Sequence, residues 1–355
     1  MIKSKALKIL GSGPSGLSAA IILAKAGYPV EVYEKNNDAG KKYFGDLQGL
    51  ENWTSRDDVL DDFKKAGIDI NFDYSPVKEI TFTDGQKKQK RDFGKPVVYL
   101  VKRGCFEGSL DYGLKKQAQK QGVKLHFNSF IPENDADIVA TGSLSKNIVA
   151  VAKGIIFKTK LPDMAVVILD NEAAYKGYSY LLVTNGYGCM CSMVVKDFSR
   201  LNDCFEKTKK IFLDMLGFEL IDPMPVGGAG CFTLKNQFRK NNTLFVGEAA
   251  GLQDFFAGFG IRSAVISGCL AARSIIEHED YGTLARACFD RKQKAGLVIR
   301  FLWEKVNRRD YSFILNKVKT KQDIFDFLYS YHNFNFIEKL IYPVAFACMK
   351  FEKRI

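Results

Sequence analysis

Apolar and polar residues alternate in blocks along the first thirty-five positions. Residues 6–10 form a short apolar run typical of a buried strand, and residues 30–34 form a second run that ends in a carboxylate. Between them, apolar residues recur at helical spacing from Leu17 to Ala24. Three glycines in the spacing GxGxxG, within residues 11–16, join the first strand to this helix. This order of strand, turn, helix and strand predicts a dinucleotide-binding unit.

Each part of this unit has a mechanical reason. Gly11 permits the tight turn, Gly13 lets the backbone approach a pyrophosphate, and Gly16 lets the helix pack on the strand. The helix N-terminus offers unpaired N–H groups to phosphates. Glu34 can accept both ribose hydroxyls of an adenosine, and an acid at this place favours FAD or NAD over NADP. The predicted cofactor contacts of this segment are Gly11, Gly13, Pro14, Ser15, Gly16, Glu34 and Lys35.

A second glycine-rich segment follows near residue 245. Residues 243–247 form a predicted strand that leads into Glu248, a carboxylate able to reach ribityl or ribose hydroxyls. Residues 258–261 then form a glycine-rich turn that starts a helix aimed at a phosphate or a flavin carbonyl oxygen. That helix carries a stripe of small residues at Ala264, Gly268 and Ala272. The stripe would let it lie close against a neighbour, and an ordinary helix–sheet contact explains the same pattern.

Together the two segments resemble the FAD-dependent oxidoreductases of the glutathione-reductase-like superfamily. Within it they are most similar to the branch of geranylgeranyl reductases and p-hydroxybenzoate-hydroxylase-like monooxygenases. The chain departs from that branch with Glu248 in place of Asp and Phe255 in place of Pro. The resemblance implies FAD as the cofactor, with contacts from Gly247, Glu248, Gly258, Phe259, Gly260 and Ile261. The matching positions are Gly247, Ala249, Ala250, Gly251, Gly258, Gly260, Ile261, Ala264, Gly268, Ala271 and Ala272.

Two further stretches fit the same branch. Residues 101–106 resemble a segment whose arginine commonly contacts the flavin nucleotide, which implies that role for Arg103; a surface arginine at a helix start is the alternative. Residues 137–142 resemble the strand and turn that return the chain to the nucleotide fold, which implies cofactor contacts from Thr141 and Gly142. The Thr-Gly-Ser sequence here replaces an Asp-Gly pair of the monooxygenases and argues against a classical aromatic hydroxylase.

The middle of the chain is predicted to form an inserted sheet that would cover the flavin. Asp84-Gly85 and Asn185-Gly186 are hairpin signals, and strands are predicted over residues 164–169, 178–184 and 189–195. The segment from residue 177 partly matches a Tyr-x-Trp-x-Phe-Pro motif of geranylgeranyl reductases. Two of its tyrosines share a strand face and predict an apolar substrate pocket, although cross-strand packing explains them equally. The pocket residues are Tyr178, Tyr180, Phe255, Phe256 and Phe259.

The last 55 residues are rich in aromatic side chains, with thirteen among them. They show helical spacing and resemble the C-terminal region of geranylgeranyl reductases, which helps to enclose long lipid chains. Three interpretations remain open: simple core packing, a helical cap over a substrate tunnel, or a basic and aromatic face resting on an anionic bilayer.

The charge and residue composition of the chain limit the kinds of binding partner that can be expected. Lys and Arg number 52 against 40 Asp and Glu, a net charge of +12, and the last 55 residues hold 10 − 6 = +4 of it. An anionic lipid surface fits this charge better than nucleic acid, for which no binding module is recognisable. Eight cysteines without a CxxC pair and three histidines argue against a metal site. The longest apolar stretch near the end, residues 340–349, is shorter than the roughly 20 residues of a membrane span.

Apolar strand-type sequence begins by residue 6, which leaves no room for a signal peptide. We therefore expect a cytoplasmic protein. If its C-terminal segment rests on an anionic bilayer, the protein is expected to be peripheral at the membrane. One GxGxxG unit is present, so the flavin's electrons are expected from an external donor, either NAD(P)H or a reduced redox protein. No acid–base dyad or activated nucleophile stands out, as expected where a cofactor carries the chemistry, and the catalytic residues remain unknown.

The expected fold is α/β, with a Rossmann-like FAD-binding domain split in sequence, an inserted mainly β substrate domain and a helical C-terminal cap. The expected activity is FAD-dependent reduction of carbon–carbon double bonds in an isoprenoid or other apolar substrate, by hydride from reduced flavin. An oxygen-using flavin monooxygenase and a flavin-binding redox module without turnover are the alternatives. The predicted boundaries are 1–75, 97–158 and 240–300 for the FAD domain, 76–96 and 159–239 for the substrate domain, and 301–355 for the cap.

Overall fold

The computed structural model describes residues 5–142, 148–234, 236–306, 311 and 321–352. The strands within them are β1 (Leu7–Leu10), β2 (Val30–Glu34), β3 (Leu47–Glu51), β4 (Tyr74–Val77), β5 (Glu79–Thr83), β6 (Lys88–Asp92), β7 (Val98–Lys102), β8 (Lys124–Phe127), β9 (Ile138–Val139), β10 (Ala150–Lys158), β11 (Met164–Ile168), β12 (Tyr178–Thr184), β13 (Tyr187–Val194), β14 (Ile221–Gly230), β15 (Arg239–Lys240) and β16 (Thr243–Phe245). The helices are α1 (Pro14–Lys25), α2 (Val59–Lys65), α3 (Leu110–Lys120), α4 (Leu201–Leu216), α5 (Ile261–Glu277), α6 (Tyr281–Trp303), α7 (Lys321–Tyr331) and α8 (Phe336–Phe351).

The nucleotide-binding half is built on a six-stranded sheet in the order β15-β16-β9-β1-β2-β8. Strands β16, β9, β1, β2 and β8 run parallel, so their carboxyl ends meet at one edge of the sheet. Both glycine-rich segments leave the sheet at this edge, after β1 and after β16. Ligands of open parallel sheets bind outside the carboxyl ends of the strands, and this edge is therefore where a cofactor is expected.

Helices α1 and α5 cross at very short distance because glycine replaces a side chain at the contact. A Cβ placed on Gly268 would lie 2.1 Å from the carbonyl oxygen of Ser15, and one placed on Gly16 would lie 2.0 Å from that of Gly11. Both are well inside van der Waals contact with backbone atoms. The small-residue stripe of α5 is thus explained by helix packing, and Gly16 has the packing role predicted for it.

The second sheet has seven strands in the order β14-β10-β13-β12-β11-β5-β6. The predicted turns at Asp84-Gly85 and Asn185-Gly186 lie between paired antiparallel strands, with Gly85, Asn185 and Gly186 at positive φ. Strand β10 pairs with β13 and β14 in this sheet. Residues 150–158, which sequence analysis assigned to the nucleotide domain, therefore belong to the seven-stranded sheet. Sequence analysis did not predict this strand, because its apolar residues do not alternate regularly with polar ones.

A three-stranded sheet, in the order β3-β7-β4, lies between these two layers. Successive residues of β7 point to opposite faces, as in any strand. Tyr99 and Val101 pack into the core of the nucleotide half, whereas Val98 and Leu100 pack with Ile156 of the seven-stranded sheet. The small sheet therefore joins the two halves through one continuous interior.

The C-terminal helices lie on this framework. Helix α6 runs through residue 301, so Phe301 and Trp303 belong to a helix that begins in the nucleotide half rather than to a separate cap. Helix α8 packs on α6, and Phe325 and Leu328 of α7 join the cluster between the sheets. Phe313, one of the thirteen aromatic residues of the C-terminal segment, and Ser143, of the Thr-Gly-Ser sequence, lie outside the described residues. Within the described ranges, no helix combines the length and apolarity needed to cross a bilayer.

Candidate functional site

A cavity of about 1390 Å³ extends from the carboxyl edge of the six-stranded sheet to the inner face of the seven-stranded sheet. The turn after β1 and the ends of β2, β9 and β16 line one part of it. Strands β11, β12 and β13 and the two C-terminal helices α6 and α7 line the other. Both predicted sites, the nucleotide cradle and the apolar pocket, thus open into the same space.

The turn after β1 is shaped for a close ligand approach. Gly11 has φ +104°, and a Cβ on it would meet the Ala140 carbonyl oxygen at 2.5 Å. Gly13 has ordinary extended angles, and the nearest atom to a Cβ placed there is 4.0 Å away. The space beside Gly13 is the cavity itself. Helix α1 starts at Pro14 without a side-chain cap, so its first N–H groups are available to a pyrophosphate.

Glu34 is fixed at the end of β2 by four hydrogen bonds. One carboxylate oxygen accepts from the backbone N–H and the hydroxyl of Ser12, at 3.0 and 2.9 Å. The other accepts from the backbone and side-chain N–H groups of Asn36, at 2.9 and 2.7 Å. The carboxylate is held at the cavity wall, where Lys35 also lies. A positioned carboxylate of this kind suits a ribose diol.

Arg103 lies at the same wall and is buried, which overturns the alternative of a surface arginine. Its guanidinium forms a two-pronged ion pair with Asp111, both N–O distances being 2.8 Å, and donates to Gln48 at 2.8 Å. The ring of Tyr43 lies 4.3 Å from its central carbon. Burial opposes its charge, but Asp111 and Tyr43 outweigh burial and raise the pKa of Arg103. Its predicted contact with the flavin nucleotide stays a prediction.

The second glycine-rich segment contributes one lining group and one packing group. Glu248 lines the cavity together with Thr141 and Gly142, and its carboxylate is 3.7 Å from a Cβ placed on Gly142. Gly247 does not line the cavity. It has φ +60°, and a Cβ on it would lie 2.7 Å from the Ser15 hydroxyl. Glycine is therefore required at position 247 because helix α1 packs so close to it.

Residues 252–260 lead into the N-terminus of α5 and are called here the flavin-facing loop, after the position that the resemblance implies for them. Gly258, Phe259, Gly260 and Ile261 all line the cavity, and their predicted cofactor contacts stay a prediction. Gly260 precedes the helix without a side-chain cap, so the positive end of the α5 dipole faces the cavity. This arrangement can stabilise negative charge on a flavin carbonyl oxygen.

Helix α6 fixes the flavin-facing loop from behind, which sequence analysis did not anticipate. Arg300 is fully buried and donates to the carbonyl oxygens of Phe255 at 3.1 Å and of Lys176 at 2.6 Å, and also to that of Phe256. Gln293 donates to the Gly251 carbonyl at 2.8 Å. Both residues lie in an ordinary amphipathic helical pattern, so no local signal marked them.

Four of the five predicted pocket residues line the cavity: Tyr178, Tyr180, Phe256 and Phe259. The two tyrosine rings are 6.1 Å apart, and the Tyr178 hydroxyl donates to the Ala257 carbonyl at 2.6 Å. Phe255 is the exception, because its ring points into the core and packs against Phe232 at 5.2 Å.

The sheet side of the cavity is mainly apolar, with Arg91 of β6 as a charged residue in its lining. Burial raises the pKa of the Cys191 thiol to about 12 and raises that of Tyr178 as well. These groups are therefore neutral at physiological pH. No cluster of potential metal ligands occurs among the described residues. The lining on this side consists of Val77, Ile80, Phe82, Phe93, Val98, Leu100, Ala165, Val167, Leu169, Leu182, Cys189, Cys191, Met193 and Trp303, among others.

Glu51, at the end of β3, predicts a pH-dependent stability. It is buried, one of its oxygens has no hydrogen-bond partner among the described residues, and burial raises its pKa to about 7. Its contribution to folding is present below pH 4.5 and is lost as pH rises through 7. We expect the Glu51→Gln variant to gain about 2 kcal/mol over wild type between pH 5 and pH 8 in urea unfolding. The exposed Glu219→Gln is the control, and equal pH profiles for Glu51→Gln and wild type would contradict the assignment.

Comparison with known proteins agrees with this geometry. A family model described as an NAD(P)-binding Rossmann-like domain matches residues 9–44. A geranylgeranyl bacteriochlorophyll reductase-like protein from Thermoplasma acidophilum has a similar structure, with TM-score 0.72 and 17% identity over 95% of this chain and 99% of that one. A flavin-dependent brominase has a similar structure, with TM-score 0.67 and 14% identity over 99% of this chain and 100% of that one. A p-nitrophenol 4-monooxygenase from Pseudomonas putida has TM-score 0.66 and 15% identity, over 93% of this chain and 99% of that one. No curated protein sequence matches the chain.

The chain therefore has the fold of FAD-dependent oxidoreductases, as the resemblance implied. The residues present also fit FAD. Gly13 leaves room for a pyrophosphate, Glu34 is held at the cavity wall where it can meet a ribose, and the α5 N-terminus faces the cavity, where it can stabilise negative charge on a flavin. The cavity continues beyond these groups, so a second ligand has space beside the cofactor.

Proposed function

We propose that this chain binds FAD and reduces carbon–carbon double bonds of an isoprenoid or other long apolar substrate. The observation that carries the proposal is the continuity of the nucleotide cradle with an apolar chamber. The combined cavity of about 1390 Å³ exceeds the roughly 300–1,000 Å³ of a typical small-ligand site. A dinucleotide alone would leave the sheet side empty, and that side offers mainly apolar carbon, with Arg91 as a charged residue in its lining.

The chain's own residues would bind and orient both ligands. Backbone N–H groups at the start of α1 would hold the pyrophosphate, and Glu34 would hold the ribose. The flavin-facing loop, fixed by Arg300, would support the flavin ring. Tyr178, Tyr180 and Phe259, which line the cavity, would border the substrate and exclude water from it. Reduced flavin supplies a hydride when it is bound.

An oxygen-using monooxygenase is the second candidate. The observation that favours it is the structural likeness to a p-nitrophenol 4-monooxygenase at TM-score 0.66. An apolar alkene is a substrate for either chemistry, hydrogenation in one and insertion of oxygen in the other. The two differ in whether product formation needs oxygen.

The decisive experiment uses the purified flavin-loaded protein. It is reduced with dithionite in the absence of air, and a panel of isoprenoid alcohols, diphosphates and lipids is added. Recovery of the oxidised flavin spectrum, together with product that has gained two hydrogens, supports the reductase. Product that forms only with oxygen and carries an added oxygen atom would replace the proposal with the monooxygenase.

Leu182→Trp tests which part of the cavity holds substrate. Leu182 lines the sheet side of the cavity, and the larger ring would occupy that space. We expect flavin content to stay at the wild-type level while turnover of long isoprenoids falls at least about tenfold, because the chain is excluded. Met224→Trp on the exposed face of β14 is the matched control. Full turnover by Leu182→Trp would place the substrate elsewhere.

A further inference from the structure

Helix α8 presents an apolar face to solvent. Phe336, Ile337, Leu340, Val344 and Phe351 are all exposed, Leu340 by 64% and Phe351 by 90%. We call these five residues the outer face. Positions 337, 340, 344 and 351 are separated by three, four and seven residues and so lie along one side of the helix. Exposed large apolar residues concentrate here, which marks an interaction surface rather than scattered surface positions.

The side of α8 that faces α6 is already packed against the rest of the chain. Ala345 and Met349 are buried against Leu297 and Val298 of α6, with Ile341 partly buried in the same cluster. The helix is therefore anchored through its inner side, and folding of the described chain does not need the outer face to be apolar. The packing of the described residues therefore does not explain why the outer face is apolar.

The charges beside the outer face are basic. Lys339 and Lys350 are exposed on the same helix, and neither forms an ion pair with a described residue. The two acidic residues of the helix region have partners other than these lysines. Glu338 is buried in the capping box with Asn335. Glu352 forms an ion pair with Lys196 at 3.2 Å. The apolar surface is therefore bordered by positive charge, on a chain of net charge +12.

We propose that the outer face of α8 docks on the surface of an anionic lipid bilayer. Apolar side chains would enter the boundary between headgroups and acyl chains, while Lys339 and Lys350 would meet lipid phosphates. Pairing of two copies through this face is less suitable, since it would gather four lysines around one contact without an acid to match them. The proposal concerns location and is independent of which reaction the flavin site performs.

Vesicle binding tests the proposal with the full-length, flavin-loaded protein. Wild type is sedimented with vesicles of phosphatidylcholine alone or mixed with phosphatidylglycerol, at low and high KCl. We expect binding to the mixed vesicles that weakens with salt. The Leu340→Glu and Val344→Glu double variant should lose at least about tenfold in affinity. Met224→Glu, an exposed apolar residue on β14, should bind as wild type does.

A second variant covers the case in which the double variant is misfolded. Lys339→Gln with Lys350→Gln should keep wild-type flavin content and thermal stability, and should weaken binding to the anionic vesicles about fivefold or more. Wild type that stays unbound with both lipids would overturn the proposal. So would equal binding by the Leu340→Glu and Val344→Glu variant, or a wild-type dimer that this variant converts to monomers while lipid binding is absent.

Discussion

Gly13→Val should abolish flavin binding and leave the apoprotein folded. Gly13 has φ −72° and ψ 176°, angles that valine adopts without strain, and a Cβ there meets no atom closer than 4.0 Å. The new side chain would fill the cavity beside the α1 N-terminus, where a pyrophosphate would lie. We expect affinity for FAD to fall at least about 100-fold by fluorescence titration, with an unchanged urea midpoint for the apoprotein.

Gly16→Val is the matched comparison, three residues along the same turn. Its Cβ would lie 2.0 Å from the backbone oxygen of Gly11 and 3.1 Å from the Ala140 side chain, so helix α1 must shift. We expect a loss of about 3 kcal/mol of unfolding free energy. If Gly13→Val retained FAD, the cradle would not be the cofactor site. If both variants unfolded alike, Gly13 would have a packing role instead.

Arg300→Met should cause a large loss of stability together with weakened flavin binding. The substitution keeps much of the aliphatic volume and removes the donors to the carbonyl oxygens of Lys176, Phe255 and Phe256. Unpartnered buried carbonyls cost about 1–3 kcal/mol each, so we expect a loss of about 3 kcal/mol or more in urea unfolding. The flavin-facing loop would also lose its support, which lowers FAD affinity.

Lys294→Met on the same helix provides the control, because its ion pair with Asp290 is at the surface and contributes little. Added flavin separates the two expected effects of Arg300→Met. Saturating FAD should recover part of the lost stability, since a ligand that binds only the folded state stabilises it by mass action. Wild-type flavin affinity in Arg300→Met would show that the loop does not depend on the clamp.

The sequence was most informative where structure depends on neighbours in the chain. The glycine spacing from Gly11 to Gly16 predicted the turn and helix α1 because tight turns and helix starts are decided within a few residues. The turn at Asn185-Gly186 was predicted for the same reason, since both residues accept positive φ. The alternation at Tyr178 and Tyr180 placed both rings on one strand face.

Features that depend on contacts between residues far apart in the sequence could not be predicted in the same way. Strand β10 lacks a regular alternation of apolar and polar residues and was not predicted, and only its pairing with β13 and β14 shows which sheet it belongs to. Phe255 faces a core partner from another segment, Phe232, rather than the cavity. The burial of Arg103 depends on its ion pair with Asp111 and its contact with the Tyr43 ring, and its predicted contact with the flavin stays a prediction. Arg300 carried no local signal.

Helix α6 has a consequence for how such a protein can diversify. Arg300 holds the flavin-facing loop, and Trp303, one turn later on the same helix, forms part of the chamber wall and contacts Phe256 of that loop at 5.1 Å. A mutation that reshapes this wall to admit a new substrate therefore also disturbs the support of the cofactor. Tyr178 at the start of β12 has a similar linkage, through its hydrogen bond to the Ala257 carbonyl of the loop. Natural variation in specificity should accumulate at other lining positions of β11 and β12, such as Ala165 and Leu182, while Tyr178 and the end of α6 change slowly across lineages.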